Sequence, residues 1–427
     1  MYVRSKGAYV ITALCAAVVC CVAFSGLIFC GCSNNARREP IRIGVLHSLS
    51  GTMAFSEKPV TEATLLAVED LNERGGLLGR RVEALTVDAH SDPATFASEA
   101  ERLITRDKVA VLFGCWTSAS RKHIRPVVER YNQLLFYPVQ YEGLELSPNI
   151  VYTGASPNQQ IIPAVKWCFD HLGKRFFLVG SDYVFPRTAN AIIRDQVGAL
   201  QGEIVGEEYI LLSGGRVEDI VEKIAQTRPS VILSTINGDS NIAFFNALRK
   251  RGLTPEQIPV MSFSIAEREV ASIGPALMAG DYAAWNYFQS LSTPQNQEFV
   301  KRFQARYGAD RVVSDPMEAA YVAVHLWAQA VEAGQTVDSA EVRRNIADQS
   351  YLGPGGMVYV DRATQHTWKI VRLGRIRPDG QFEVVWSSEH PVRPVPYPAS
   401  RPKAEWDDFL LKLYKGWGGE WTNPGGR

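Results

Sequence analysis

The chain has 427 residues, with 45 lysines and arginines against 45 aspartates and glutamates. A hydrophobic share of 46% with 21% charged residues describes a folded chain of about two or three globular units, not a disordered one. Zero net charge without long basic runs argues against a nucleic-acid binder, and one apolar stretch at the N-terminus excludes a multi-span membrane protein.

Arg4 and Lys6 precede an uncharged run from Ala8 to Gly31, and the chain turns polar at Ser33-Asn34-Asn35. A basic start before an apolar segment reads as an export signal over residues 1–32. The run ends in Phe29-Cys30-Gly31-Cys32, which resembles a bacterial lipoprotein cleavage site with Cys32 as the lipid-attachment residue. Phe29 stands where that motif usually carries Leu, and the run is long for a signal, so an uncleaved membrane-spanning anchor is the alternative. Either reading tethers the chain to a membrane and places the rest outside the cytoplasm. Five of the seven cysteines lie in this leader, leaving Cys115 and Cys168 in the body. Two buried free thiols and a single bridge are both compatible with that count.

Beyond the leader the pattern alternates. Ile41–Leu46 reads as a strand, Pro59–Glu73 as a helix ended by Gly75-Gly76, Val82–Val87 as a strand and Pro93–Thr105 as a helix. Val109–Phe113 (strand), Arg121–Tyr131 (helix), Leu134–Tyr137 and Ile150–Tyr152 (strands) complete a first unit. The rhythm restarts with a helix over Gln160–His171, strand Arg175–Gly180, a helix from Arg187 and strand Glu203–Ile210. A helix over Val217–Gln226, strand Val231–Thr235, a helix over Ile242–Arg251 and strand Val260–Ser262 follow. Strands that alternate with helices, several of them apolar throughout, predict an α/β fold of two successive units, with parallel sheets covered on both faces. A strand near Tyr282–Phe288 precedes helices over Gln295–Tyr307 and Pro316–Ala333, and Trp368–Ile376, Pro378-Asp379-Gly380 and Phe382–Trp386 read as a hairpin. Lobe I is expected over 41–155 plus about 284–350, and lobe II over 156–283 plus about 351–427, joined by more than one crossover around a central ligand cleft. The aromatic tail holding Trp406, Phe409, Tyr414, Trp417 and Trp421 reads as a packed strap over a lobe, with a partner-docking surface as the other reading.

The sequence carries no G-x-x-x-x-G-K-[ST] loop, G-x-G-x-x-G after the first strand, His-Glu-x-x-His, Cys-x-x-Cys or G-x-S-x-G elbow, and the seven histidines are scattered. No catalytic, metal-ligating or cofactor-binding set is therefore assigned, and the expectation is a ligand binder rather than an enzyme.

Several longer motifs narrow this. They are Gly114-Cys115-Trp116-Thr117-Ser118-Ala119-Ser120-Arg121-Lys122, Phe136-Tyr137-Pro138-Val139-Gln140-Tyr141-Glu142-Gly143 and Gly180-Ser181-Asp182-Tyr183-Val184-Phe185-Pro186-Arg187. Ala284-Trp285-Asn286-Tyr287-Phe288, Asp315-Pro316-Met317-Glu318-Ala319-Ala320-Tyr321 and the ending Gly416-Trp417-Gly418-Gly419-Glu420-Trp421 add to them. Together they resemble the type I periplasmic binding proteins for urea and short-chain amides, from about Ile41 to the C-terminus. The resemblance is closer to the urea-transporter component than to the amide-sensing regulators, which usually differ at Trp116 and lack an export leader. It implies two Rossmann-like lobes that close over one small ligand and present it to the permease of an ABC transporter.

Each candidate ligand residue lies just beyond the C-terminal end of a strand, where open α/β sheets bind their ligands. Ser118 can donate to a carbonyl oxygen or cap the helix that follows. Trp116 and Tyr137 offer flat walls, and Tyr183 resembles the family's second-lobe tyrosine that reaches the ligand on closure. Gln140 and Ser264 supply acceptors, and Glu267 a carboxylate acceptor. Urea has one carbonyl and four N–H groups and no charge, so its site needs acceptors and no counter-ion. An amino-acid site would need a carboxylate for the ammonium and donors for the carboxylate, a set that Ser50, Thr52 and Glu267 could supply. Branched-chain amino acids are thus the rival ligand, a sensory or regulatory domain of the same fold the rival role, and a hydrolase the remote third.

Overall fold

The computed structural model describes residues 39–425 except 213 and 216, and its contacts gather the chain from Pro40 onward into one unit. The export signal and the Cys32 attachment site lie outside the described residues. Among the described residues no helix is long and apolar enough to cross a membrane.

The first sheet is built from β1 (Ile41–His47), β2 (Val82–Asp88), β3 (Leu112–Gly114), β4 (Leu135–Tyr137) and β5 (Ile150–Tyr152), in the order β2-β1-β3-β4-β5. Every pair in it is parallel. Parallel neighbours need crossovers, supplied by α1 (Ala54–Glu73), α2 (Pro93–Thr105) and α3 (Ser118–Arg130). α1 starts five residues before the expected Pro59, which sits inside it. Side chains of β1 and β3, such as Ile43, Val45 and Phe113, are fully or almost fully buried, as expected of strands covered on both faces.

After β5 the chain passes to the second lobe. α4 (Ile161–His171), β6 (Arg175–Ser181), α5 (Val184–Ala199), β7 (Glu203–Ile210), α6 (Val217–Thr227), β8 (Val231–Thr235), α7 (Ser240–Lys250) and β9 (Val260–Ser262) alternate as predicted. Two short helices that periodicity did not reveal, α8 (Glu267–Ile273) and α9 (Pro275–Met278), precede β10 (Tyr282–Trp285). The chain then returns to the first core through α10 (Pro294–Tyr307), α11 (Asp315–Gly334) and α12 (Ser339–Ile346), which bury Phe299, Phe303, Met317 and Val342 against it. A small antiparallel sheet of β11 (Ser350–Gly353), β12 (Gly356–Val360) and β13 (Thr367–Trp368) follows. A last passage adds β14 (Arg372–Ile376) and β15 (Phe382–Ser387), giving the second sheet the order β15-β14-β10-β9-β8-β6-β7. β14 and β15 are antiparallel and joined through the expected Pro378-Asp379-Gly380 turn, where Gly380 takes φ of +80°. α13 (Lys403–Gly416) packs Trp406 and Leu410 on the second core.

β10 hydrogen-bonds into the second sheet, and the return to the first core follows Trp285. One expected boundary shifts: in residues 351–360, expected in lobe II, Val358 and Val360 alternate inward into the first core. The strand expected over Trp368–Ile376 is interrupted, because Lys369 turns inward to the Thr153 carbonyl (3.1 Å) and Glu318 (3.4 Å).

The three passages between lobes are tied together at one residue. The Asn286 carboxamide donates to the carbonyls of Gln159 (3.1 Å) and Ile370 (3.0 Å), one on each of the other passages.

Candidate functional site

The site grows from the turn between β3 and α3. Gly114 has φ of +156° and Cys115 +68°, and a Cβ on Gly114 would stand 2.0 Å from the Leu46 carbonyl oxygen. Glycine is what lets this strand end pass against β1. Thr117 is the helix cap, accepting from the Ser120 amide at 3.0 Å, so neither Ser118 nor Ser120 is spent on that role.

Ser118 is the first residue of α3 and buried. Its hydroxyl donates to Glu142 and accepts from Arg121 Nη1 at 3.0 Å. Arg121 also donates to Glu142 (3.0 Å) and through Nε to Glu145 (2.8 Å), while its guanidinium lies over the rings of Tyr137 (4.8 Å) and Tyr141 (4.4 Å). Lys122 Nζ donates to Glu145 at 3.2 Å, and Tyr152 Oη to the same carboxylate at 3.0 Å. Burial raises Glu145, yet Arg121, Lys122 and Arg125 outweigh it and hold the carboxyl well below the usual range. Buried charges persist where they are paired and hydrogen-bonded, and here two carboxylates face two cations.

Tyr137, at the end of β4, donates to the Trp116 carbonyl at 2.6 Å, and both residues are buried. Tyr183 reaches the same place from the second lobe, at the start of α5. Burial raises its hydroxyl far above the ordinary range, with Tyr137 and Glu142 adding and Arg121 opposing, so the four share one field. Gln140 spans the lobes: its Nε2 donates to the Phe263 carbonyl at 2.9 Å, while its buried Oε1 has no partner. Ser264, the next residue after Phe263, donates its hydroxyl to the Ile236 carbonyl and keeps its lone pairs to accept.

Glu267 does not join this group through any hydrogen bond. Its Oε1 accepts from the Gln289 amide at 2.6 Å, just past the Asn286 passage, and its buried Oε2 has no partner. Burial pushes it from 4.5 up to about 8, the Gln289 amide opposing and Asp315 adding. Between those values the folded protein holds a proton that the unfolded chain has released, so stability falls as pH rises from about 4.5 to about 8 and then levels. Glu267→Gln is expected to flatten that decline, measured by thermal unfolding across the window. Asp281, raised to about 7 by burial against Arg249, leaves a residual slope of the same sign. An unaltered slope in the variant would refute the assignment.

Cys115 and Cys168 are buried free thiols, both raised by burial.

Residues 41–403 match the periplasmic binding protein domain family. The chain belongs to this family. Among solved structures, the type I periplasmic fold recurs in the solute binding protein of an ABC transporter from Rhodopseudomonas palustris HaA2, in complex with p-hydroxybenzoic acid. That structure has a TM-score of 0.75 and 22% identity, covering 83% of this chain and 98% of that one. The "Leu/Ile/Val-binding protein homolog 6" of Brucella melitensis biotype 1 is 22% identical over 82% of this chain and 90% of its own length. A "Limonene hydroxylase" of Geobacillus stearothermophilus is 32% identical over 124 residues, so the match spans 29% of this chain and 23% of that relative's length.

Several of these polar groups lie just beyond the C-terminal ends of parallel strands, where open α/β sheets bind their ligands. Sequence reasoning gave no role to Arg121, Glu142 or Glu145. The signal for them was present: Ser118 and Arg121 share a helix face at i, i+3, and Glu142 and Glu145 repeat that spacing on the facing loop. It also passed over His47, whose Nδ1 stands 3.0 Å from Glu57 while its buried Nε2 has no partner at the end of β1.

Proposed function

We propose that this periplasmic binding protein captures urea or a short-chain amide between its lobes and passes it to the permease of an ABC transporter, from a membrane-tethered, exported position. The observation that carries the reading is the charge balance beside Ser118. Arg121 and Lys122 are already matched by Glu142 and Glu145, and the unpartnered acceptor nearby, Gln140 Oε1, is neutral. A buried anionic solute would need a spare cation there, whereas a neutral amide needs acceptors for its N–H groups and a donor for its carbonyl. Trp116 and Tyr137 supply the walls and Tyr183 a hydroxyl to donate, while Ser118, whose proton goes to Glu142, serves with Gln140 and Ser264 as an acceptor. Contacts from both lobes are made only when the lobes are shut, so ligand shifts the population toward the closed form that a permease reads. No bond is made or broken by this chain in that cycle.

The branched-chain amino-acid reading draws support from the name of the Brucella relatives. Two of the three groups that would serve it fit poorly: Ser50 Oγ spends its proton on Asp88 at 2.7 Å, and Glu267 holds its own proton to about pH 8 and so brings no charge to an ammonium.

Calorimetric titration with urea, acetamide, formamide, leucine and p-hydroxybenzoate separates these. Saturable heat with urea or an amide alone is the expected result, and heat with leucine or the benzoate alone would discard the ligand class. Ser118→Ala is expected to weaken urea binding by about 1–3 kcal/mol, because the remaining lone pair of a hydroxyl, free to accept a ligand N–H, is lost. Unaltered affinity in that variant would remove Ser118 from the site.

A further inference from the structure

The C-terminal segment after α13 was expected to lie over one lobe, and its aromatics do pack there: Trp417 and Trp421 rest against the second core. Its backbone is fastened to the loop that carries Tyr183. Thr422 pairs with Tyr183 in an antiparallel bridge, Trp421 O accepts from the Val184 amide at 3.0 Å, and the Asn423 amide donates to Asp182 O at 3.1 Å. Asn423 Nδ2 donates to the Asp182 carboxylate at 2.6 Å.

The same few residues also reach the first lobe. Lys122 Nζ, on α3, lies 4.7 Å from the centroid of the Trp421 ring, and His123 Nε2 lies 3.4 Å from Glu420 Oε2. A cavity of about 460 Å³ sits beneath, with Thr52, Thr117 and His123 on one side and Leu212, Glu420 and Thr422 on the other. The segment is thus attached to the half-site bearing Tyr183 and grips the helix whose first turn bears Ser118.

We infer that Glu420–Asn423 is a clasp: it positions Tyr183 and holds the two lobes shut over the cleft through Trp421 and Lys122. The inference rests on the reading of this cleft as the capture site. Lys122 is nearly buried and also paired with Glu145, so its charge stays fixed over the indole, a geometry in which cation–π attraction is at its stronger end. Opening the lobes separates Lys122 from Trp421, whereas the hydrogen bonds to Asp182 and Val184 travel with the second lobe. The contact therefore biases closure without touching the ligand, as a positioning residue does.

The test is hydrogen–deuterium exchange of the full chain, with and without urea, comparing Trp421→Ala, Trp421→Phe and Glu420→Gln with the natural sequence. The readout is exchange in 53–57 and 263–269. These segments join the lobes elsewhere, through Ser56 Oγ to Glu269 (2.9 Å), Arg268 over Phe55 (4.7 Å) and Gln140 to the Phe263 carbonyl (2.9 Å). A role confined to packing the tail would alter exchange only near 182–184. The clasp predicts exchange in the remote segments about 3–30-fold faster in Trp421→Ala, the range a lost cation–π contact corresponds to, with Trp421→Phe intermediate. The exposed Glu420→Gln variant, which has little means of unfolding the protein, should move the same segments less and in the same direction. Unchanged remote exchange in both Trp421→Phe and Glu420→Gln would overturn the clasp even where Trp421→Ala fails to fold. Urea protection absent from the natural sequence would overturn the capture reading separately, leaving the variants to decide the clasp.

Discussion

Replacing Arg121 by methionine is expected to destabilise the protein by about 3–5 kcal/mol, read as a fall in the calorimetric unfolding transition. The reason is what it leaves behind rather than what it takes away. Glu142 and Glu145 are both fully buried, and in the variant Lys122 alone faces them from within the core, with the half-exposed Arg125 reaching Glu145 only at 3.9 Å. Ser118 would lose one of its two partners at the same time, so urea affinity should fall with stability. Adding Glu142→Gln to the methionine variant removes the stranded charge, leaves Glu145 paired with Lys122 at 3.2 Å, and is expected to restore most of the lost stability. If the double variant were no more stable than the single one, the charge account would be wrong and the loss would belong to packing over Tyr137 and Tyr141. Heat is the denaturant of choice, because urea is the candidate ligand.

The second large effect is expected at Gly114. An alanine there would place its Cβ 2.0 Å from the Leu46 carbonyl oxygen in a backbone conformation with φ of +156°, adding strain to overlap with main chain that belongs to β1. The two contributions are each about 1–3 kcal/mol, so a loss of roughly 2–6 kcal/mol follows. Relief requires β3 and β1 to separate where Cys115 N donates to the Leu46 carbonyl at 3.0 Å, which displaces Trp116 and Ser118 together. Gly198 serves as the control: it lies in α5 with nothing near its Cβ position, and alanine there should be neutral or stabilising by up to about 1 kcal/mol. A Gly114→Ala variant as stable as Gly198→Ala would mean that the turn relaxes freely.

Much of the architecture is local information. The apolar strands and the helices between them follow from periodicity, and Val231–Thr235, Val260–Ser262 and Glu203–Ile210 begin and end where the sequence places them. Short elements without a repeating apolar face, such as α8 and β11, leave no such trace. The candidate ligand side chains were legible through motifs at strand ends, because a parallel sheet directs every such loop to the same edge.

What the sequence determined by itself is therefore the class of fold, the alternation of its elements and the loops that face the cleft. Only the tertiary structure decided which polar groups there are free. Arg121 meets carboxylates 21 and 24 residues away, Asn286 ties passages 127 and 84 residues away, and the tail meets Lys122 across nearly 300 residues of chain. Hydrophobic periodicity reports whether a side chain is buried, and that is settled within a turn or two of its own element. Which partner neutralises a buried charge depends on how distant segments close on one another, and that is fixed only when both lobes have folded.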